Sequence, residues 1–137
     1  MTTLDRRFPA RPERLCDIRH AVAEAVGAVG CPQPVIGDVV LAVDEACQNI
    51  IRHAYRGADG DIVVQVAAEA DRLVIQLIDF APPVDVAKIC PRPLDELRPG
   101  GLGTHFINSV MDEIDFLPPP DGAGNLLRMV KHFGDGQ

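Results

Sequence analysis

The sequence predicts an α+β fold: a two-layer sandwich with a mostly antiparallel sheet and helices on one face. Three observations lead there. Two stretches with helical spacing of apolar residues occupy the first forty per cent of the chain. Two alternating stretches, "DIVVQVAAE" and "RLVIQLID", follow with only a short turn between them. A further alternating stretch, "NLLRMVKHF", lies near the end of the sequence.

The elements follow in order. Leu4 to Phe8 reads as a short opening strand that ends at a proline. In "RPERLCDIRHAVAEAVGAVG", Leu15, Ile18, Val22, Ala25 and Val29 recur at helical spacing. Pro12 suits the first turn and Gly30 the exit. "CPQP" reads as a linker, and a second helix is expected from about Val35 to Tyr55. At 100° per residue, Val39, Val43, Ala46, Cys47, Ile50 and Ala54 fall on one arc. Asp38, Glu45, Asn49, Arg52 and Arg56 fall near the opposite one. Gly57 can end the helix in a left-handed cap.

The alternating pair then directs Ile62, Val64, Val66 and Ala68, with Leu73, Ile75 and Leu77, to one side of a hairpin turning at "EADR". Residues 80–103 hold five prolines and three glycines without a sustained period. A connection of that length is often a lid or binding loop. "LGTHFINSVMDEI" resumes helical spacing through Leu102, Phe106, Ile107, Val110 and Ile114, and "DFLPPPDGAGN" reads as a strand end and turn. In the last strand, Leu127, Met129 and Lys131 alternate against Leu126, Arg128, Val130 and His132. No internal repeat or second domain is visible, so residues 1–137 are expected to form one domain.

Composition narrows the function. Hydrophobic residues make up 47% and charged residues 24%, as in a globular protein able to bury a core without metal or disulfide. The net charge of −7 and the lack of a Lys/Arg cluster argue against nucleic acid as a partner. No apolar run reaches membrane-spanning length, and the first residues lack a signal-peptide core. Cys16, Cys31, Cys47 and Cys90 are too scattered for a zinc or disulfide framework and imply a reducing, cytoplasmic setting.

Four features offer chemistry. Glu45 and Asn49 stand four residues apart, hence on one helix face. Asn presents a neutral carbonyl oxygen suited to a largely hydrated Mg²⁺, and Glu a base for a nearby nucleophile. A solvated helix face would look the same. Asp79 ends an apolar strand, where a buried carboxylate needs a donor such as the amino group of a flat heterocycle. An aspartate at that position can also simply form a turn. "RPGGLGTHF" places three glycines before a helical pattern, where free amides attract phosphate. The long loop is the fourth feature, able to close over a ligand and exclude water. His53 lies between the two helix faces, where it packs or orients Asn49. No GxSxG, HExxH or Walker A pattern occurs.

"EACQNIIRHAY" resembles the N-box of the anti-sigma-factor serine kinases, members of the GHKL ATPase superfamily with the Bergerat fold. Glu45, Ala46, Asn49, His53, Ala54 and Tyr55 match its pattern. "DFAPPVD" is similar to the G1 box, "PGGLGTHFINSVMDEIDF" to the G2 box, and "GNLLRMVKHF" to the final strand. The resemblance implies that Glu45 is the catalytic base and Asn49 the Mg²⁺ ligand. It implies that Asp79 accepts a hydrogen bond from the adenine of ATP, beside Ala81, where glycine is frequent. Gly100, Gly101, Leu102, Gly103 and Thr104 would line the phosphates, and residues 86–99 would form the ATP lid. It further implies a serine/threonine kinase that phosphorylates a STAS-domain anti-anti-sigma protein and sequesters a sigma factor, as a homodimer. A nucleotide-binding module that acts only by sequestration, and a simple ATP hydrolase, are the competing readings.

Overall fold

A computed structural model describes residues 1–82, 107 and 109–133. Strand β1 (Thr2–Pro9) is followed by a short 3₁₀ turn (Pro12–Arg14) and helix α1 (Leu15–Ala28). Helix α2 (Gln33–Asn49) runs on into a single π-helical turn (Ile50–Ala54). Strands β2 (Asp61–Glu69), β3 (Arg72–Asp79), β4 (Glu113–Leu117) and β5 (Asn125–His132) complete one sheet, in the order β1-β2-β3-β5-β4. All four pairings are antiparallel.

The core lies between this sheet and the two helices. Ile62, Val64 and Val66 of β2, Leu73, Ile75 and Leu77 of β3, and Met129 of β5 are wholly or almost wholly buried. They face Ile18, Val22 and Val26 of α1 and Val39, Val43 and Cys47 of α2, also buried. Each of these aliphatic side chains contributes about 1.5–3 kcal/mol by leaving water. Strand β3 is central and buried on both faces, since Val74 and Ile78 on its other side pair with Val130 and Leu126 of β5. Lys131 points to the core side, and its ammonium group donates to the Val110 carbonyl at 2.6 Å and lies 3.4 Å from Asp38.

The expected second helix differs at both ends. It begins at Gln33, because Pro34 fits a first helical turn, where no amide donor is needed. It changes winding at Ile50, where Tyr55 N donates to Ile50 O at 2.9 Å, an i to i+5 bond. On a regular helix Tyr55 would stand about 120° round from Val43. The wider turn brings its ring into the core instead. Gly57, with φ +83°, ends the segment as expected, and Gly30, with φ +94°, ends α1.

A helix reaching Ile114 is not what forms. Ile107, Ser109 and Val110 are helical, but β4 begins at Glu113 and Ile114 pairs with Met129. A spacing of four residues fits both a helix and the even positions of a strand, so Val110 and Ile114 suggested one helix. The Asp112 amide donates to Val130 O at 2.8 Å, while its side chain accepts from the His132 amide at 2.6 Å. Those bonds turn the chain into the sheet.

Candidate active site

Helix α2 places Glu45 and Asn49 on its flank, both half-buried. Their spacing does present them one turn apart, but neither faces open water in the way Arg52 and His53 do. Asn49 Oδ1 is buried and has no hydrogen-bond partner among the described residues. Leaving a buried acceptor unsatisfied costs about 1–3 kcal/mol. A neutral carbonyl oxygen of this kind fits a divalent cation that keeps most of its waters. No cluster of three or more His, Cys, Asp or Glu occurs among the described residues. A cation here would therefore take few protein ligands and complete its shell with water and phosphate, as Mg²⁺ does.

The second part of the site is the end of β3. Asp79 is only 3% exposed. Its Oδ1 accepts from the Asn125 side-chain amide at 2.8 Å and from the Ala81 backbone amide at 3.1 Å. Burial pushes its pKa above the ordinary carboxylate value, and these two donors pull against that shift. Among the described residues, both of these hydrogen bonds go to Oδ1 and none to Oδ2. The Asn125 amide also donates to Pro82 O at 3.2 Å, and the Gly124 amide to Asp79 O at 2.8 Å.

Two further contacts fix this strand end. The Tyr55 hydroxyl donates to Asp61 O at 2.5 Å and accepts from the Phe80 amide at 2.8 Å. It ties the end of the π turn to the residue next to Asp79. Gly124 lies so close to Ala81 that an added Cβ would come within 1.7 Å of the Ala81 carbonyl oxygen. Ala81 is itself buried, at 3% exposure, with its backbone against this glycine.

Asn125, Tyr55 and Gly124 received no role from the sequence. The one available signal was the Gly-Asn pair opening the last strand, at the register position opposite Asp79. Gly100, Gly101, Leu102, Gly103 and Thr104, the lid at 86–99 and Asp85 lie outside the described residues. Among the clefts bounded by described residues are two that do not contain Glu45, Asn49 or Asp79. One runs between α1 and β1, past Arg6, His20 and Glu24, and the other lies at the end of α2. Cys47 is buried and its thiol is pushed up to about 12, so it is inert.

Residues 8–131 match the family model described as the histidine kinase-like ATPase domain. The chain is 31% identical over 138 aligned positions to the serine-protein kinase RsbW of Bacillus cereus, covering 95% of this chain and 84% of that one. The RsbW of Bacillus thuringiensis subsp. konkukian gives the same identity and coverage. The chain belongs to the RsbW family of serine-protein kinases. Solved structures agree on the fold of this RsbW-family chain. The RsbU and RsbW domains of a Mycobacterium tuberculosis protein superpose with a TM-score of 0.65 at 18% identity, over 95% of this chain and 32% of that one. The histidine kinase domain of a blue-light-activated kinase from Erythrobacter litoralis gives 0.56 at 15% identity, over 87% of this chain and 61% of that one. Membership carries the ATPase domain with it, and with that domain the use of a nucleotide. No described helix of this RsbW-family chain is long and apolar enough to cross a membrane.

Proposed function

We propose that this chain is a Mg²⁺-dependent serine/threonine kinase and anti-sigma factor of a partner-switching module, with Glu45 as its base and Asn49 as its metal ligand. The observation that carries this reading is the buried, unpartnered Asn49 Oδ1 one turn from a half-buried carboxylate. A solvated helix face has no reason to bury an acceptor without a donor. When bound, ATP·Mg²⁺ supplies the phosphoryl group and the positive charge that screens it.

The chain's own residues do the rest. Asn49 Oδ1 would hold the metal. Asp79 Oδ2 accepts from the amino group of the base, while Asn125 and the Ala81 amide keep Oδ1 occupied and the carboxylate fixed. Gly100, Gly101, Leu102, Gly103 and Thr104 offer backbone amides, and Thr104 a hydroxyl, to the phosphates. Glu45 would accept the proton of a serine or threonine hydroxyl as that oxygen attacks the γ-phosphorus and the bond to the bridging oxygen breaks, so the proton ends on Glu45, the phosphoryl on the substrate and ADP leaves. The substrate is a STAS-domain anti-anti-sigma protein. Phosphorylating it releases this chain to hold a sigma factor. The chain works in the cytoplasm as a homodimer, with one ATPase domain over residues 1–137.

The test is phosphoryl transfer from labelled ATP with Mg²⁺ to a candidate STAS protein. Transfer by the parent chain and none by Glu45→Ala supports the kinase. Tight partner binding without transfer supports sequestration alone, and partner-independent phosphate release supports a hydrolase.

A further inference from the structure

The cleft at the end of α2 is lined by the apolar Pro12, Leu15 and Ile51 and by the polar Gln48, Arg52 and Arg56. Its two arginines stand apart from the others. Among the described residues, Arg7, Arg11, Arg14, Arg19, Arg72 and Arg128 each have an acidic partner within 4.0 Å. Arg6 lies over the Phe8 ring. Arg52 reaches only the neutral Gln48 side chain, at 3.2 Å, and Arg56 makes no hydrogen bond or ion pair among the described residues. In a chain with 20 acidic and 13 basic side chains, two neighbouring guanidinium groups without a carboxylate are out of balance. Arg56 is also held at φ +53°, a backbone conformation seldom adopted by a side-chain-bearing residue.

We propose that this cleft docks an acidic segment of the kinase's protein substrate, with carboxylates on Arg52 and Arg56 and an apolar side chain on Leu15 and Ile51. Guanidinium groups pair with carboxylates bidentately, and such complementarity selects partners and speeds encounter. The position suits a substrate. Glu45, Gln48 and Arg52 follow one another along one side of the helix, and seven residues of helix separate Glu45 from Arg52 by about 10 Å. About three extended residues cover that distance. A carboxylate seated on Arg52 thus leaves a hydroxyl three residues away within reach of Glu45. The proposal rests on the kinase reading for the role of Glu45, but the docking itself does not need catalysis.

Fluorescence anisotropy with the full chain separates the two. The probe is a fluorescein-labelled twelve-residue peptide with a central serine, Asp-Glu pairs three residues to either side and leucines between. Its counterpart carries Asn-Gln pairs. The acidic peptide is expected to bind the parent at least tenfold more tightly than the neutral one, with a preference that weakens in salt. R52Q/R56Q should abolish that preference and R52E/R56E reverse it, with ATP affinity unchanged in both. Equal binding of the two peptides, or a preference that survives in the variants, overturns the proposal. So does a parallel loss of ATP affinity, which would assign the arginines to the nucleotide. Arginine-dependent self-association in sedimentation, which would make a second copy the occupant, overturns it too. Glu45→Ala should bind the acidic peptide as the parent does. Failure of phosphoryl transfer to a STAS protein would count against the kinase reading and, with peptide binding intact, leave the docking site standing.

Discussion

The two described ends of the active site are built in opposite ways. Around Asp79, a carboxylate oxygen, three backbone amides, the Asn125 amide and the Tyr55 hydroxyl are all paired. Around Asn49, a buried acceptor has no partner. On the proposed assignment, the end that would take the base is largely tied down by its own hydrogen bonds, while the end that would take the metal carries an unmet demand. Preorganisation at one end would lower the cost of positioning a base, and the unsatisfied oxygen at the other would favour a bound cation. Substitutions should therefore separate stability from function differently at the two ends.

Glu45→Gln has the largest expected effect. Proton acceptance is lost, and phosphoryl transfer should fall by roughly 10²–10⁴-fold. Thermal stability should stay near that of the parent, as Glu45 makes no hydrogen bond or ion pair among the described residues. A labelled-ATP assay alongside a melting curve checks both.

At the other end, Asp79→Asn keeps an acceptor for Asn125 and Ala81 but turns the remaining oxygen into a donor. ATP affinity should drop by at least tenfold in calorimetry. Stability moves the other way. The raised pKa of Asp79 means that burial penalises its charged form, so its contribution is most favourable in acid and is lost as pH rises through the folded-state value. The asparagine variant should gain on the parent in urea melts as pH climbs from acid to neutral. An advantage that shrinks over that range would contradict the assignment.

Smaller effects test the packing that fixes the Asp79 end. Gly124→Ala drives a methyl into the Ala81 carbonyl and should cost about 1–3 kcal/mol, read as a lower urea midpoint. Tyr55→Phe leaves the Phe80 amide without its acceptor and should cost about 1–3 kcal/mol. The smallest expected effect is chemical. Iodoacetamide should modify the exposed Cys16 readily in the native protein and leave Cys47 untouched until global unfolding.

Most of the fold was legible in the sequence because period and burial agree. The stretches "DIVVQVAAE" and "RLVIQLID" coincide with β2 and β3 residue for residue, and the helix arc through Val39, Val43 and Cys47 is the buried one. The π turn was not legible, since nothing in "IIRHAY" distinguishes five residues per hydrogen-bonded turn from four. The end of β4 was legible in "DFLPPP", but its start was hidden because its one half-buried residue, Ile114, continues a helical spacing. At the site, Glu45, Asn49 and Asp79 were visible as residue types out of place on apolar elements. Asn125 was not, because its role depends on a strand pairing that joins positions 46 residues apart.

The most direct test is Mg²⁺-dependent ATP binding by Asn49→Ala, with melting of the unliganded protein measured in parallel. Removing the unsatisfied oxygen should leave melting unchanged or raise it by an amount worth about 1 kcal/mol, and ATP affinity in Mg²⁺ should fall at least tenfold. Unchanged ATP affinity would show that the Asn49 oxygen does not serve the metal and would contradict the account.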